Sequence, residues 1–142
     1  MSVEWFLSYV NIHGVNMSRV FEPPEIYKGI LHRKTIDFAV RIVKLFKYLI
    51  QKDRSLEALY VQLLKAGTSI GANTSEAQSA ASKKDFINKL SISLKESRET
   101  DYWINVFYRT EIITQSEYES LIKDCDEIER LLTSSIRTAR SK

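Results

Sequence analysis

Gln62-Leu-Leu-Lys-Ala-Gly67-Thr-Ser-Ile-Gly71-Ala-Asn73-Thr-Ser-Glu-Ala77 decides how the chain folds. Leu56, Leu63, Ile70 and Ala77 recur at every seventh position, with Leu59, Ala66, Asn73 and Ala80 between them. That spacing is the seam of a helix packed on other helices. Glycine inside a helix costs up to about 1 kcal/mol relative to alanine, so Gly67 and Gly71, four residues apart, call for a neighbouring helix at close range. They follow no strand and match neither phosphate-binding fingerprint. Asn73 falls on the seam where an apolar side chain is expected, and reads as a register-setting core polar group rather than a ligand contact.

Outward from this stretch the chain divides into four helical blocks behind a leading segment. Thr35 to Gln51 forms the first, Ser55 (as N-cap) to about Ala81 the second. Ser82-Lys-Lys-Asp85 is a capping-box variant that opens the third, and Ser116-Glu-Tyr-Glu119 a capping box that opens the fourth. Short links between them predict an all-α, antiparallel up-down four-helix bundle over residues 32–142. Residues 1–31 contain both prolines and two of the four glycines and show no sustained period, so they read as an N-terminal extension. At 142 residues one domain is expected.

The third block is polar where its core stripe should be apolar. Ser93, Ser97, Thr100 and Asp101 lie on or beside the line of Phe86, Leu90, Leu94, Ile104 and Phe107, which predicts a buried polar layer with Ser97 in it. Asn73 would meet that layer if the second and third helices are antiparallel neighbours.

In the first block eleven of the fifteen residues from Ile36 to Ile50 are apolar, and the exceptions are Asp37, Arg41, Lys44 and Lys47. Those four share one stripe, which leaves an apolar face too wide for a helix resting on a single core. Its outer side is expected to be covered by a second protomer, with the aromatic leader (Trp5, Phe6, Tyr9, Val10) as the alternative cover.

The chemistry-bearing residues are sparse. The histidines are His13 and His32, neither three residues after a glutamate, which excludes a di-iron bundle, and with one cysteine they make no zinc set. Cys125 sits in the stripe Leu121, Ile122, Cys125, Ile128, Leu132 and reads as a buried structural thiol in a reducing compartment. Glu96 and Glu99 alternate with Lys95 and Arg98, as on a solvated helix face. Tyr102, Trp103, Phe107 and Tyr108 read as core and subunit interface rather than a base-stacking platform. No catalytic residue, cofactor or metal is expected. No stretch is apolar enough to span a bilayer and no secretory signal is evident, so the expected location is the cytoplasm.

Charge gives the hint of a partner. From Lys28 to Arg54 eight basic residues stand against two acidic ones in a chain of net charge +3. Arg33, Lys34, Arg41, Lys44, Lys47 and Lys52 are therefore the candidate phosphate contacts, a field that a ring of protomers would multiply.

Gln62 to Asn73, Glu76-Ala-Gln78, Lys84-Asp-Phe-Ile87, Lys89-Leu-Ser-Ile92 and Leu94-Lys-Glu-Ser-Arg-Glu-Thr-Asp-Tyr-Trp103 resemble the bacterial four helix bundle protein family. Its members are also described as intervening-sequence proteins of 23S ribosomal RNA. The resemblance covers about residues 32 to 140 and omits the leader. It implies a bundle assembled into a ring, a pentamer, without catalytic residues. It also implies a relationship to the accessory protein of diversity-generating retroelements, which binds reverse transcriptase and RNA through basic surface. The expected function is a non-catalytic homo-oligomeric scaffold for structured RNA or a ribonucleoprotein. The alternative is a protein-interaction module that docks a partner, such as a reverse transcriptase-like protein, without nucleic acid. Two features depart from the pattern: the long leader, and a fourth helix whose Glu117, Glu119, Asp124, Asp126, Glu127 and Glu129 would repel phosphate.

Overall fold

The structure is a computed structural model that describes residues 27–141. A π-helical turn, Tyr27–Leu31, runs directly into α1, His32–Lys52. A short 3-10 turn, Arg54–Leu56, leads into α2, Glu57–Ala77; α3, Lys83–Arg109, and α4, Gln115–Ser141, complete the order. The described helical unit thus begins at Tyr27, upstream of the expected boundary at residue 32, and Leu31 is already buried in it. The aromatic leader residues Trp5, Phe6, Tyr9 and Val10 lie outside the described residues.

Caps set the helix starts. Asp53 Oδ1 accepts from the Ser55 N–H at 2.9 Å, so Asp53, not Ser55, caps the turn before α2, and the Ser55 hydroxyl first, then its N–H, holds the Asp53 carboxyl below its ordinary range. Ser82 caps α3 as expected, accepting from the Asp85 N–H at 3.1 Å. α4 starts earlier than its expected cap. Thr114 Oγ1 accepts from the Glu117 N–H at 3.2 Å while Glu117 accepts from the Thr114 N–H at 2.7 Å, a reciprocal box two residues upstream of Ser116. The α3–α4 turn holds Glu111 at φ 59°, a left-handed conformation usually taken by glycine or asparagine.

Sequence-adjacent helices pack antiparallel. Tyr60 of α2 meets Phe107 of α3 edge-on at 5.8 Å, while Thr74 of α2 bonds Ser93 of α3. Between α3 and α4, Tyr108 stacks on Tyr118 and the Cys125 thiol donates to the Ser97 carbonyl. Phe38, Phe86 and Phe107, with Ile42, Leu90, Ile104 and Leu132, are almost wholly enclosed. Each such side chain stabilises the fold by about 1.5–3 kcal/mol relative to an exposed one.

The glycine pair faces α1. A Cβ at Gly67 would lie 2.8 Å from Ile42 Cγ1, and one at Gly71 would lie 3.2 Å from the Thr35 carbonyl oxygen. The polar layer is present, but Asn73 is not in it. Asn73 is half-buried and donates to the Ser69 carbonyl of its own helix at 2.9 Å. Thr74 takes the inner place: its hydroxyl donates to the Ile70 carbonyl and pairs with Ser93 Oγ at 2.8 Å. The buried face of α2 takes in Tyr60, Leu63, Ala66, Gly67, Ile70, Gly71, Thr74 and Ala77, wider than a single heptad seam, because α2 is covered by α1 and α3 together. Ser97 is fully buried, its hydroxyl donating to the Leu94 carbonyl at 2.8 Å.

Candidate functional site

α1 presents two different faces. Thr35, Phe38, Ile42 and Leu49 form its buried stripe. On the outside Ile36, Val40 and Val43, spaced by four and three residues, are 46%, 46% and 40% exposed. This second stripe has no cover within the described protomer. It forms one wall of a groove of about 600 Å³ against α2, with Ala72 and Thr68 opposite and Lys44 and Lys47 along its edge. Gly71 lets the two backbones approach closely enough to make that floor.

The six candidate phosphate contacts divide into two groups. Lys34 is ion-paired to Glu127 of α4 at 2.9 Å. Arg41 is ion-paired to Asp124 of α4 and donates to Ser120 Oγ at 2.9 Å. These cations tie α1 to α4, and the Lys34 bond holds the Glu127 carboxyl below its ordinary range. The acidic residues of α4 that sequence reasoning set against phosphate are thus partly engaged by α1. Arg33, Lys44, Lys47 and Lys52 are exposed and have no ion pair to a described residue; Lys52 lies over the Tyr48 ring at 5.8 Å.

Elsewhere the arrangement is less suited to chemistry. Cys125 is fully buried, and burial first, then the carboxylates of Glu129, Asp101 and Asp126, push its thiol far up, so it is held as a thiol. Burial also raises the carboxyls of Glu96, Asp101 and Glu129, each with a neighbouring carboxylate adding to the shift. Among the described residues no group of three His, Cys, Asp or Glu side chains is placed to hold a metal, and no helix is long and apolar enough to cross a membrane. Tyr102 is 58% exposed and meets Trp103 edge-on at 5.1 Å; Trp103 is half-buried and donates to Glu99.

One cationic cleft went unnoticed in the sequence. Between the first half of α3 and the end of α4 lies a second opening of about 590 Å³, with Leu94 and Ile136 as floor and Arg137 and Arg140 at its edge. The available signal was charge order. Every acid of α4 stands at or before Glu129, and the described residues after it carry Arg130, Arg137 and Arg140 with no acid.

The signature of the family described as 23S rRNA-intervening sequence protein matches residues 28–134. The chain belongs to that family. The match takes in the α1 groove and all but the last two turns of α4. A crystal structure of a protein of unknown function from the S23 ribosomal protein family of Bacteroides thetaiotaomicron is similar in sequence and fold. It is 48% identical, with a TM-score of 0.73, over 78% of this chain and 98% of that one. No curated protein matches the chain. Membership in this 23S rRNA-intervening sequence family agrees with the all-α bundle and with the resemblance carried by Gln62 to Trp103.

Proposed function

We propose that the protein is a non-catalytic, homo-oligomeric scaffold that binds structured RNA or a ribonucleoprotein, with α1 supplying both the contact between copies and part of the phosphate-binding surface. The observation that carries this reading is the unpartnered stripe Ile36, Val40 and Val43, edged by Lys44 and Lys47. An aligned apolar stripe on an outer helix marks an interaction surface, and lysines beside it would be gathered by a ring, a pentamer in this reading, into a field that attracts phosphate. The descriptions of the family and of the Bacteroides relative, which refer to 23S rRNA and to a ribosomal protein family, support RNA as the partner class.

Arg33, Lys44, Lys47 and Lys52 are the α1 contacts in this reading; Lys34 and Arg41 hold the bundle together. The test is titration of a structured RNA across a salt series. Wild-type affinity falls steeply with salt, and Lys44→Glu with Lys47→Glu weakens binding while the assembly persists.

A second reading has the same groove dock a helix of another protein, a reverse transcriptase-like protein among them, without nucleic acid. Its apolar floor favours this reading. Docking of that kind would respond weakly to salt, since it releases few counterions.

A further inference from the structure

We infer that the α3–α4 cleft is a second RNA subsite, in which Arg137 and Arg140 grip backbone phosphate while the Leu94–Ile136 floor takes the apolar side of the sugar and base. The inference rests on the RNA-scaffold reading and adds a surface on the opposite side of α4 from the α1 contacts.

Four observations carry it. The cleft is a real opening of about 590 Å³ with an apolar floor, Ile136 being 7% exposed. Both arginines are exposed, and neither has an ion pair or hydrogen bond to a described residue, unlike Lys34 and Arg41. Planar guanidinium groups suit phosphate better than ammonium because each can donate two parallel bonds. Thr133 lines the same opening with a hydroxyl that can donate to phosphate or ribose oxygens, while the Ser91 hydroxyl, which donates to the Ile87 carbonyl at 2.7 Å, can accept from a ribose hydroxyl.

The surrounding charge points the same way. From Lys83 to Lys95 the facing half of α3 has four lysines and one acid, Asp85, whose carboxylate accepts from the Ala81 N–H. One of those lysines, Lys89, is paired with Glu76. Arg130 and, from its other side, Arg137 line a neighbouring opening with Asp126 and Glu129, whereas Arg140 stands clear of those acids, so the subsite is centred on the end of α4. Complementing the helix dipole would account for Arg140 in the last turn of α4, but Arg137 lies a turn earlier.

The test uses the full chain and a mixed-sequence RNA hairpin, with affinity measured from low to high salt. Arg137→Gln with Arg140→Gln is expected to flatten the slope of log affinity against log salt by about 0.7–0.9 for each phosphate contact removed. Arg137→Lys with Arg140→Lys should keep the slope and lose affinity, because charge remains and the paired bonds do not. Circular dichroism melting confirms that the variants fold. An unchanged slope in the glutamine variant, with a flattened one in Lys44→Gln with Lys47→Gln, would overturn the subsite and leave the scaffold reading intact. Absence of wild-type binding even at low salt would overturn both.

Discussion

Arg41 of α1 is ion-paired to Asp124 of α4, while the other terminal nitrogen of its guanidinium donates to Ser120 Oγ at 2.9 Å. The first and last helices are therefore joined by charge as well as by core packing, with Lys34 and Glu127 repeating the link two turns away. A residue that looks like a phosphate contact in the sequence is structural in the fold.

Arg41→Ala should cost about 1 kcal/mol, the upper range for a partly exposed pair with an added hydrogen bond. Arg41→Asp should cost more, and Asp124→Arg in the same chain should restore part of the loss. Denaturant melts of the two single variants and the double variant measure the coupling; additive losses would contradict the link.

Gly67→Ala tests the close approach of α1 and α2. Alanine's helix propensity favours the variant by up to about 1 kcal/mol, but its Cβ would fall 2.8 Å from the γ-carbon of a fully buried, β-branched Ile42. Overpacking of this kind typically costs about 1–3 kcal/mol, so a net loss of stability is expected in thermal melts. Gly71→Ala meets Thr35 no closer than 3.2 Å, at its carbonyl oxygen, and should be milder. Stabilisation by Gly67→Ala would mean that the helices are not held this closely.

Much of this architecture is legible in the sequence, and the failures have physical causes. Gly67, Gly71, Ser82 and Ser97 are local signals, set by backbone approach, a cap or one helix face, and each has the position its neighbours imply. Asn73 was misplaced because a heptad assumes one partner helix, whereas α2 has two and buries Thr74 instead. The ion pairs of Lys34 and Arg41 are not legible in the sequence because their partners, Glu127 and Asp124, are some eighty or ninety residues away, where no periodicity connects them. Arg137 and Arg140 read in the sequence only as a basic tail at the end of the last helix, because the cleft beside them needs α3 in place to exist.

Asp101 supplies a pH test. Burial raises its carboxyl, the Asp126 charge adds to this, and a hydrogen bond from Asn105 opposes it; Glu129 and Arg98 also face this region of the α3–α4 contact. With the folded value above the unfolded one, the folded state holds the proton more tightly. Stability from this group is thus present below the ordinary carboxylate value of about 4 and is lost as pH rises through the folded value. Asp101→Asn should therefore melt higher than wild type at pH 7, with the gap closing on acidification to about pH 3. A wild-type advantage at neutral pH would contradict the shift.

Val40→Glu tests the outer stripe of α1. Val40 is 46% exposed, so the variant should keep its helical circular dichroism. Placing a charge in an apolar contact between copies should break the assembly, and sedimentation velocity should report a smaller particle. A monomeric wild type would overturn the role given to this face.

The central claim is that assembled protein holds RNA through phosphate contacts, and the most direct test is the salt dependence of wild-type binding to a structured RNA. The account predicts that log affinity falls linearly with log salt, the slope steepening by about 0.7–0.9 for every phosphate neutralised. Binding that is absent at low salt, or indifferent to salt, would contradict it.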